Sequence, residues 1–473
     1  MLFSSLIFLF VFLPLLLLTY YVCPKRFRNP LLLAASLFFY AWGGIYYSFI
    51  LIASIGANYL LVRQIEKSKT KRKFWLGTGL VLNILVIVIF KYLDFIIDNV
   101  NGLGYYLFSL QPQLDLQEII LPLGISFFTF QQMSLLWDVY RAPDEEPSNF
   151  QSVALYTSLF PQLIAGPIVR YKDIVDQIKG RQENIDLFKS GIYRFILGLF
   201  KKIVFANTCG AIADSIMDTP YENLNSPIAW LGIVAYSLQI YFDFSGYSDM
   251  AIGLGRMFGF ELLENFNFPY ISTSIKEFWR RWHISLSTWF RDYVYIPLGG
   301  NRKGLNRNYI NLITVFLLTG LWHGATWSFV IWGLFHGCFL IIEKLGLEKI
   351  LNKLPRFVRW AYTIMIVMLA WVLFRIEHFS DAIGYIGKLF GIHSYKEGHF
   401  LSYLNNEKIV ILLFALLSCS TFFAKLKIKM NKTQLSFPRL YSFTSDFCLM
   451  GLFILSIIYI NSGSYNPFIY FRF

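Results

Sequence analysis

Long apolar stretches separated by short polar breaks run the length of the chain. They fall at about 2–22, 30–43, 47–63, 74–97, 118–137, 152–169, 189–206, 227–258, 309–342, 357–374, 408–423 and 442–461. A membrane-spanning helix needs about 20 mostly apolar residues. The longer stretches therefore predict full crossings, and the shorter ones tilted or re-entrant helices. The pattern predicts an all-α polytopic integral membrane protein with about 10–12 transmembrane or re-entrant helices. The longest polar connections, Arg141–Asn149, Arg170–Ile185 and Gly391–Lys408, are short, and no internal repeat stands out. A single membrane-embedded domain over residues 1–473 is expected.

One connection departs from this pattern. Residues 261–308, ELLENFNFPYISTSIKEFWRRWHISLSTWFRDYVYIPLGGNRKGLNRN, are too charged to span and too aromatic for a solvated loop. Placed on one helix, Phe278, Trp282, Leu286, Trp289 and Tyr293 recur every three or four residues as an apolar stripe. Arg280, Arg281, Ser287 and Arg291 take the other faces. A basic helix with a tryptophan-rich face predicts an amphipathic segment lying at the membrane interface and in contact with lipid.

Composition sharpens the class. Only 15% of the 473 residues are charged, against 56% hydrophobic and 19% aromatic, where soluble domains carry about 25% charged residues. The formal charge of +13 does not imply nucleic acid, because no basic groove interleaved with aromatics lies outside the apolar stretches. The basic clusters at Lys25–Arg28, Arg63–Lys73, Arg170–Arg181, Lys201–Lys202 and Arg302–Arg307 read instead as loops held on the cytoplasmic side. Residues 2–22 have their positive charge after the apolar run, the reverse of a cleaved leader, so a retained helix is expected there. The five cysteines, Cys338 among them, show no metal-ligand spacing, and no metal site is expected.

Chemistry concentrates in the core segment 309–342, where GLWHGATWSFVIWGLFHG places His323 and His336 among apolar and small residues. An ionisable group at membrane depth is expensive and marks function. At about 100° per residue, thirteen positions would put the two imidazoles on nearly opposite sides of a straight helix. Either the segment bends, as Gly320, Gly324, Gly333 and Gly337 permit, or the two have different tasks. Metal binding on one face would need i, i+4 spacing. A neutral imidazole in a dry aromatic pocket, flanked by Trp322 and Gly324, is a competent general base for a hydroxyl attacking a carbonyl. Such acyl transfer also needs a group to polarise the carbonyl, for which His283, Arg280 or a backbone N–H are candidates. Asp243 and Asp249, about 240° apart on a helix, read as structural rather than as a catalytic pair.

ENFNFPYISTSIKEFWRRWHISLSTWFRDYVYIPLGGNRKG followed by TGLWHGATWSFVIWGLFHG resembles the membrane-bound O-acyltransferase family. It is especially similar to the bacterial branch that O-acetylates alginate and related envelope polysaccharides. LFSSLIFLFVFLPL, LPLGISFFTFQ, FPQLIAGPIVRY and YFDFSGYSDMAIGLG extend the likeness over nearly the whole chain, while QQMSLLWDVYR departs from the family's pattern. The resemblance implies a multi-pass protein of the bacterial cytoplasmic membrane and no permanently bound cofactor. Acetyl-CoA or an acyl-carrier protein would deliver a thioester from the cytoplasm, with Arg281, Arg291, Arg302 and Lys303 meeting the donor's phosphates. His323 matches the family's histidine and His283 its second polar position, with His336, Trp322 and Arg280 in support. Related systems carry an aromatic-tyrosine tail, here NPFIYFRF within 466–473, so Tyr470 is a candidate acyl relay. A periplasmic or extracellular acetyltransferase of the SGNH type would complete transfer to sugar. The rival class is a transporter or flippase that uses the membrane histidines as proton relays.

Overall fold

The computed structural model describes residues 1–108, 121–142, 149–164, 166–392, 398–423, 425–426 and 438–463. Every regular element among them is helical. Seven helices are long and apolar enough to cross a bilayer: Ile45–Lys67, Arg72–Phe108, Ile185–Met217, Ser226–Met257, Trp327–Leu351, Arg356–Arg375 and Phe443–Ser462. Phe8–Val22 is a shorter apolar helix. The chain is thus a multi-pass membrane protein.

The remaining apolar stretches end short for visible reasons. The stretch over 152–169 is cut at Leu159, where Phe150–Ser158 stops and Phe160–Leu163 begins with a proline in its first turn. The stretch over 309–342 is two helices, Leu305–His323 and Trp327–Ile342, joined through Gly324. The expected bend is therefore a complete hinge. A Cβ on Gly324 would strike the Phe329 ring, and Cβ atoms on Gly320 and Gly333 would strike backbone of the opposite helix. These small residues let the two helices close on each other.

Ser226–Met257 is the buried spine, with almost every residue from Ala235 onward out of contact with surroundings. It packs on Ile185–Met217 through paired glycines. A Cβ on Gly191 would lie 2.7 Å from Gly253 O, and one on Gly198 would lie 2.6 Å from Gly246 O. The same seam carries ion pairs, of which Lys202–Asp243 is buried on both sides while Arg194 and Lys201 are partly exposed. Lys202 Nζ meets Asp243 at 2.6 Å, and Asp249 takes Arg194 at 2.6 Å and Lys201 at 2.7 Å. Lys201 and Lys202 are therefore not a cytoplasmic loop. They sit in a π-helical turn, Lys201–Ala206, within a crossing helix, and answer carboxylates that have no water at that depth. Asp243 and Asp249 have the structural role expected of them.

The clusters Lys25–Arg28 and Arg170–Arg181 meet at one end of the spine helix. Arg28 pairs with Glu183 at 2.9 Å, Arg181 Nε donates to Phe258 O at 2.9 Å, and Tyr21 Oη donates to Met257 O at 2.7 Å. Burial pushes the Glu183 carboxyl up, but hydrogen bonds from Tyr20 and Arg28 outweigh it and hold the group below the usual range. At the opposite end, Asn225 bonds Gly398 O, Trp230 bonds Leu389 O, and Arg375 pairs with Asp214.

Gly198→Leu should overpack the glycine seam at a cost of about 1–3 kcal/mol, seen as a lower thermal midpoint in detergent. Gly77→Ala, with nothing within 4 Å, should not lower that midpoint, since alanine is the better helix former.

Candidate active site

The segment 261–308 is not one interfacial helix. Ile275–Arg281 and Ile284–Phe290 are separate helices broken at Trp282 and His283. Glu343 accepts the free N–H groups of Ile275 (2.7 Å) and Lys276 (3.2 Å) at the start of the first helix. His283 adopts φ +45°, a left-handed conformation that non-glycine residues take only at a cost. Two backbone bonds enforce it. Ile284 N donates to Asn265 O at 2.9 Å, and Asn267 N donates to Arg281 O at 2.9 Å. The loop over 265–267 thereby straps the turn from outside.

The aromatic stripe faces protein, not lipid. Phe278, Trp282, Leu286, Trp289 and Tyr293 are all buried. Trp289 stacks on Phe130 with ring centres 3.9 Å apart, and Trp282 lies 4.9 Å from Trp371. With the left-handed turn in the middle, the stripe becomes two walls around the break.

The break brings the histidines together. His283 and His323 have ring centres 6.5 Å apart, with Trp322 packed 5.8 Å from His283 and 4.9 Å from His323. Trp332 lies edge-on to both His323 (5.0 Å) and His336 (5.2 Å). Trp279 Nε1 donates to His336 Nδ1 at 3.3 Å. The hinge at Gly324 thus folds His336 back beside His323. Trp332 Nε1 and His336 Nε2 are buried and have no hydrogen-bond partner among the described residues.

Arg280 does not join this group. It is exposed, whereas the imidazoles are buried, so it lies outside the aromatic cage and cannot polarise a carbonyl there. Arg281 is held by Glu277 at 2.9 Å and by Asn267 O, and Arg291 by Asp292 at 2.7 Å. Arg302 and Lys303 are exposed. These four are not gathered into one cluster. Cys338 is exposed and free. Tyr470 lies outside the described residues.

A cavity of about 550 Å³ is lined by Lys91, Gln239, Gly324, Thr326, Phe374 and Arg375, among others; His323 is not in the lining but directly precedes Gly324, which is. Arg375, in its lining, belongs to the end of the molecule opposite Arg28 and Arg181. Phe374 lines the cavity and lies 5.2 Å from the His323 ring. Gln239 Oε1 and Thr326 Oγ1 are without hydrogen-bond partners among the described residues. The last turn of Leu305–His323 leaves carbonyls that its own helix cannot satisfy. Lys91 Nζ takes those of Trp322 (2.6 Å) and His323 (3.1 Å), and Tyr92 Oη takes that of Leu321. A cation at a helix C-terminus is favoured by the helix dipole.

Asn265, Lys91 and Gln239 were not singled out by sequence reasoning. A lone lysine in VIVIFKYLDFII was a usable signal. A single asparagine or glutamine carries none.

The sequence model of the membrane-bound O-acyltransferase family matches residues 82–376. A probable alginate O-acetylase of Pseudomonas putida is 40% identical over 496 aligned positions, covering all of both chains. A peptidoglycan O-acetyltransferase of Helicobacter pylori is 37% identical over 454 positions, covering 87% of this chain and 85% of its own. A teichoic acid D-alanyltransferase of Bacillus subtilis is 33% identical over 251 positions, covering 50% of this chain and 62% of its own.

His283→Gly removes the Cβ that makes the left-handed turn costly, whereas His283→Ala keeps it. The glycine variant should be the more stable by about 1 kcal/mol, read from thermal midpoints in detergent. An alanine variant of equal or higher midpoint would show that the turn is unstrained.

Proposed function

Because the chain belongs to the membrane-bound O-acyltransferase family and is an O-acyltransferase, we propose that it moves an acetyl group across the membrane. The donor is a cytoplasmic thioester, acetyl-CoA or an acetylated acyl-carrier protein. The transfer serves O-acetylation of a cell-envelope or secreted polysaccharide. The observation that carries this reading is the position of His323. It ends a helix one residue before Gly324, which lines the cavity, and His283 stands beside it. The alginate and peptidoglycan acetyltransferases cover most of their own length and of this chain, which supports acetyl as the group and an envelope polymer as its destination.

In the transfer, the acceptor hydroxyl approaches from the cavity and its oxygen attacks the thioester carbonyl carbon. His323 takes the hydroxyl proton as general base. When the carbon–sulfur bond breaks, that proton passes to the departing sulfur as a free thiol. His283 orients the reacting groups. The buried N–H of Trp332, edge-on to His323 and without a partner among the described residues, polarises the carbonyl oxygen. In a water-excluded site such a donor is worth far more than in solution.

In this reading the basic end is the cytoplasmic one, as the positive-inside rule favours, the membrane is the bacterial inner membrane, and the cavity lies toward the periplasm. Arg302 and Lys303 are exposed and available to donor phosphates, whereas Arg281 and Arg291 would have to leave Glu277 and Asp292 to join them. A periplasmic acetyltransferase of the SGNH type receives the group and completes transfer to sugar. O-acyltransferase membership leaves the transporter reading of His323 and His336 without a supporting observation.

His323→Ala should reduce polymer O-acetylation in cells to background while the protein stays at wild-type level in the membrane; retained acetylation would overturn the assignment. Trp332→Phe keeps the ring stack but removes the donor. It should lower the turnover of acetyl-CoA by about 100-fold, measured as thiol release by purified protein with an acceptor present. Unchanged turnover would remove Trp332 from the mechanism.

A further inference from the structure

We infer that Asn265 is a positioning residue that sets where the proton sits on His283, and so which ring nitrogen faces the chemistry. The inference deepens the acetyl-transfer reading and rests on it for its consequence, though not for its geometry. Asn265 is 1% exposed, in the loop that follows the buried spine helix. Its Oδ1 accepts from the backbone N–H of Ser285 at 3.1 Å and from Ser285 Oγ at 2.9 Å, and lies 3.2 Å from His283 Nδ1. Its Nδ2 donates to Ser248 Oγ at 3.1 Å.

The two ends of a side-chain amide are told apart by their partners. A peptide N–H can only donate, so the atom facing Ser285 N is the oxygen. A carbonyl oxygen can only accept, so His283 Nδ1 carries the hydrogen. In the neutral ring this leaves Nε2 as the basic nitrogen, by the logic that a bond to one imidazole nitrogen fixes the state of the other. His283 therefore receives a proton or a hydrogen bond at Nε2. As a neutral group it has no hydrogen there to give a carbonyl, which excludes it as the polarising group and makes it the one that orients a hydroxyl.

Asn265 also grips the turn through its main chain, since its carbonyl accepts the N–H of Ile284. One residue thus holds both the left-handed backbone and the ring of its neighbour. A purely structural amide would need neither the third bond to its oxygen nor the placement beside an imidazole.

The test uses full-length protein labelled with nitrogen-15 histidine, in which the chemical shifts separate the two neutral tautomers. The His283 signals are identified by their loss in His283→Asn. The expected native state is protonated at Nδ1. Asn265→Leu should move that proton to Nε2 and lower turnover with acetyl-CoA by about 100-fold or more, as a wrong tautomer does in other enzymes. The KM for acetyl-CoA should stay within about twofold, because the donor's binding contacts are not touched. Asn265→Asp, which still presents an acceptor oxygen, should keep the native tautomer and recover most of the lost turnover. Native His283 protonated at Nε2, full turnover in Asn265→Leu, or an Asp variant as slow as the Leu variant would each overturn the inference. Should the native protein fail to turn over acetyl-CoA, the functional reading falls, while the spectra still decide the role of Asn265.

Discussion

A charge buried at membrane depth has only other side chains to turn to, and that constraint orders this fold. Asp243 and Asp249 lie on the most deeply buried helix. Among the described residues they form ion pairs with Lys201, Lys202 and Arg194 on its neighbour. Removing one member of such a pair strands the other at a cost of about 3–5 kcal/mol, so the two helices are locked in register along their length. The glycine pairs at 191 with 253 and 198 with 246 bring the backbones close enough for the pairs to form. Everything that touches the histidines docks on this pair or on the helices that lean against it.

Two interruptions of helix make the site. Gly324 ends one helix directly after His323, and the left-handed turn at His283 ends another directly before Ile284. At each break an imidazole sits where helical side-chain spacing no longer dictates its direction. Strain of this kind clusters where chemistry is done and persists because surrounding structure holds it. Here the holding structure is visible in the strap over 265–267, in the carboxylate of Glu343 at the start of Ile275–Arg281, and in Lys91 and Tyr92 at the end of Leu305–His323.

Much of this was legible in the sequence, and the misreadings have a common cause. His323 stood out because an imidazole in an apolar run has no solvent to satisfy it, and the bend near Gly324 followed from the density of small residues. The stripe from Phe278 to Tyr293 was real. It pointed to lipid only because a periodicity argument assumes an unbroken helix, and nothing in TrpHis announces a left-handed residue that is not glycine. Lys201 and Lys202 looked like a loop because their partners are more than forty residues away in the chain. Asn265 was silent for the same reason. An amide becomes informative only when the peptide N–H and the imidazole facing it are known.

The tether from Lys91 and Tyr92 has a mechanical side. From Val88 to Phe108 their helix has no fully buried residue among the described ones, so it sits at the edge of the bundle. Among the described residues it is tied there to the rest of the molecule by the three carbonyls that end at His323 and, farther along, by Asn99, which accepts from Trp327 Nε1 at 2.9 Å. Tilting or sliding of this edge helix, such as a thinner or thicker bilayer imposes, is therefore transmitted as a pull on the very turn that carries the reactive imidazole.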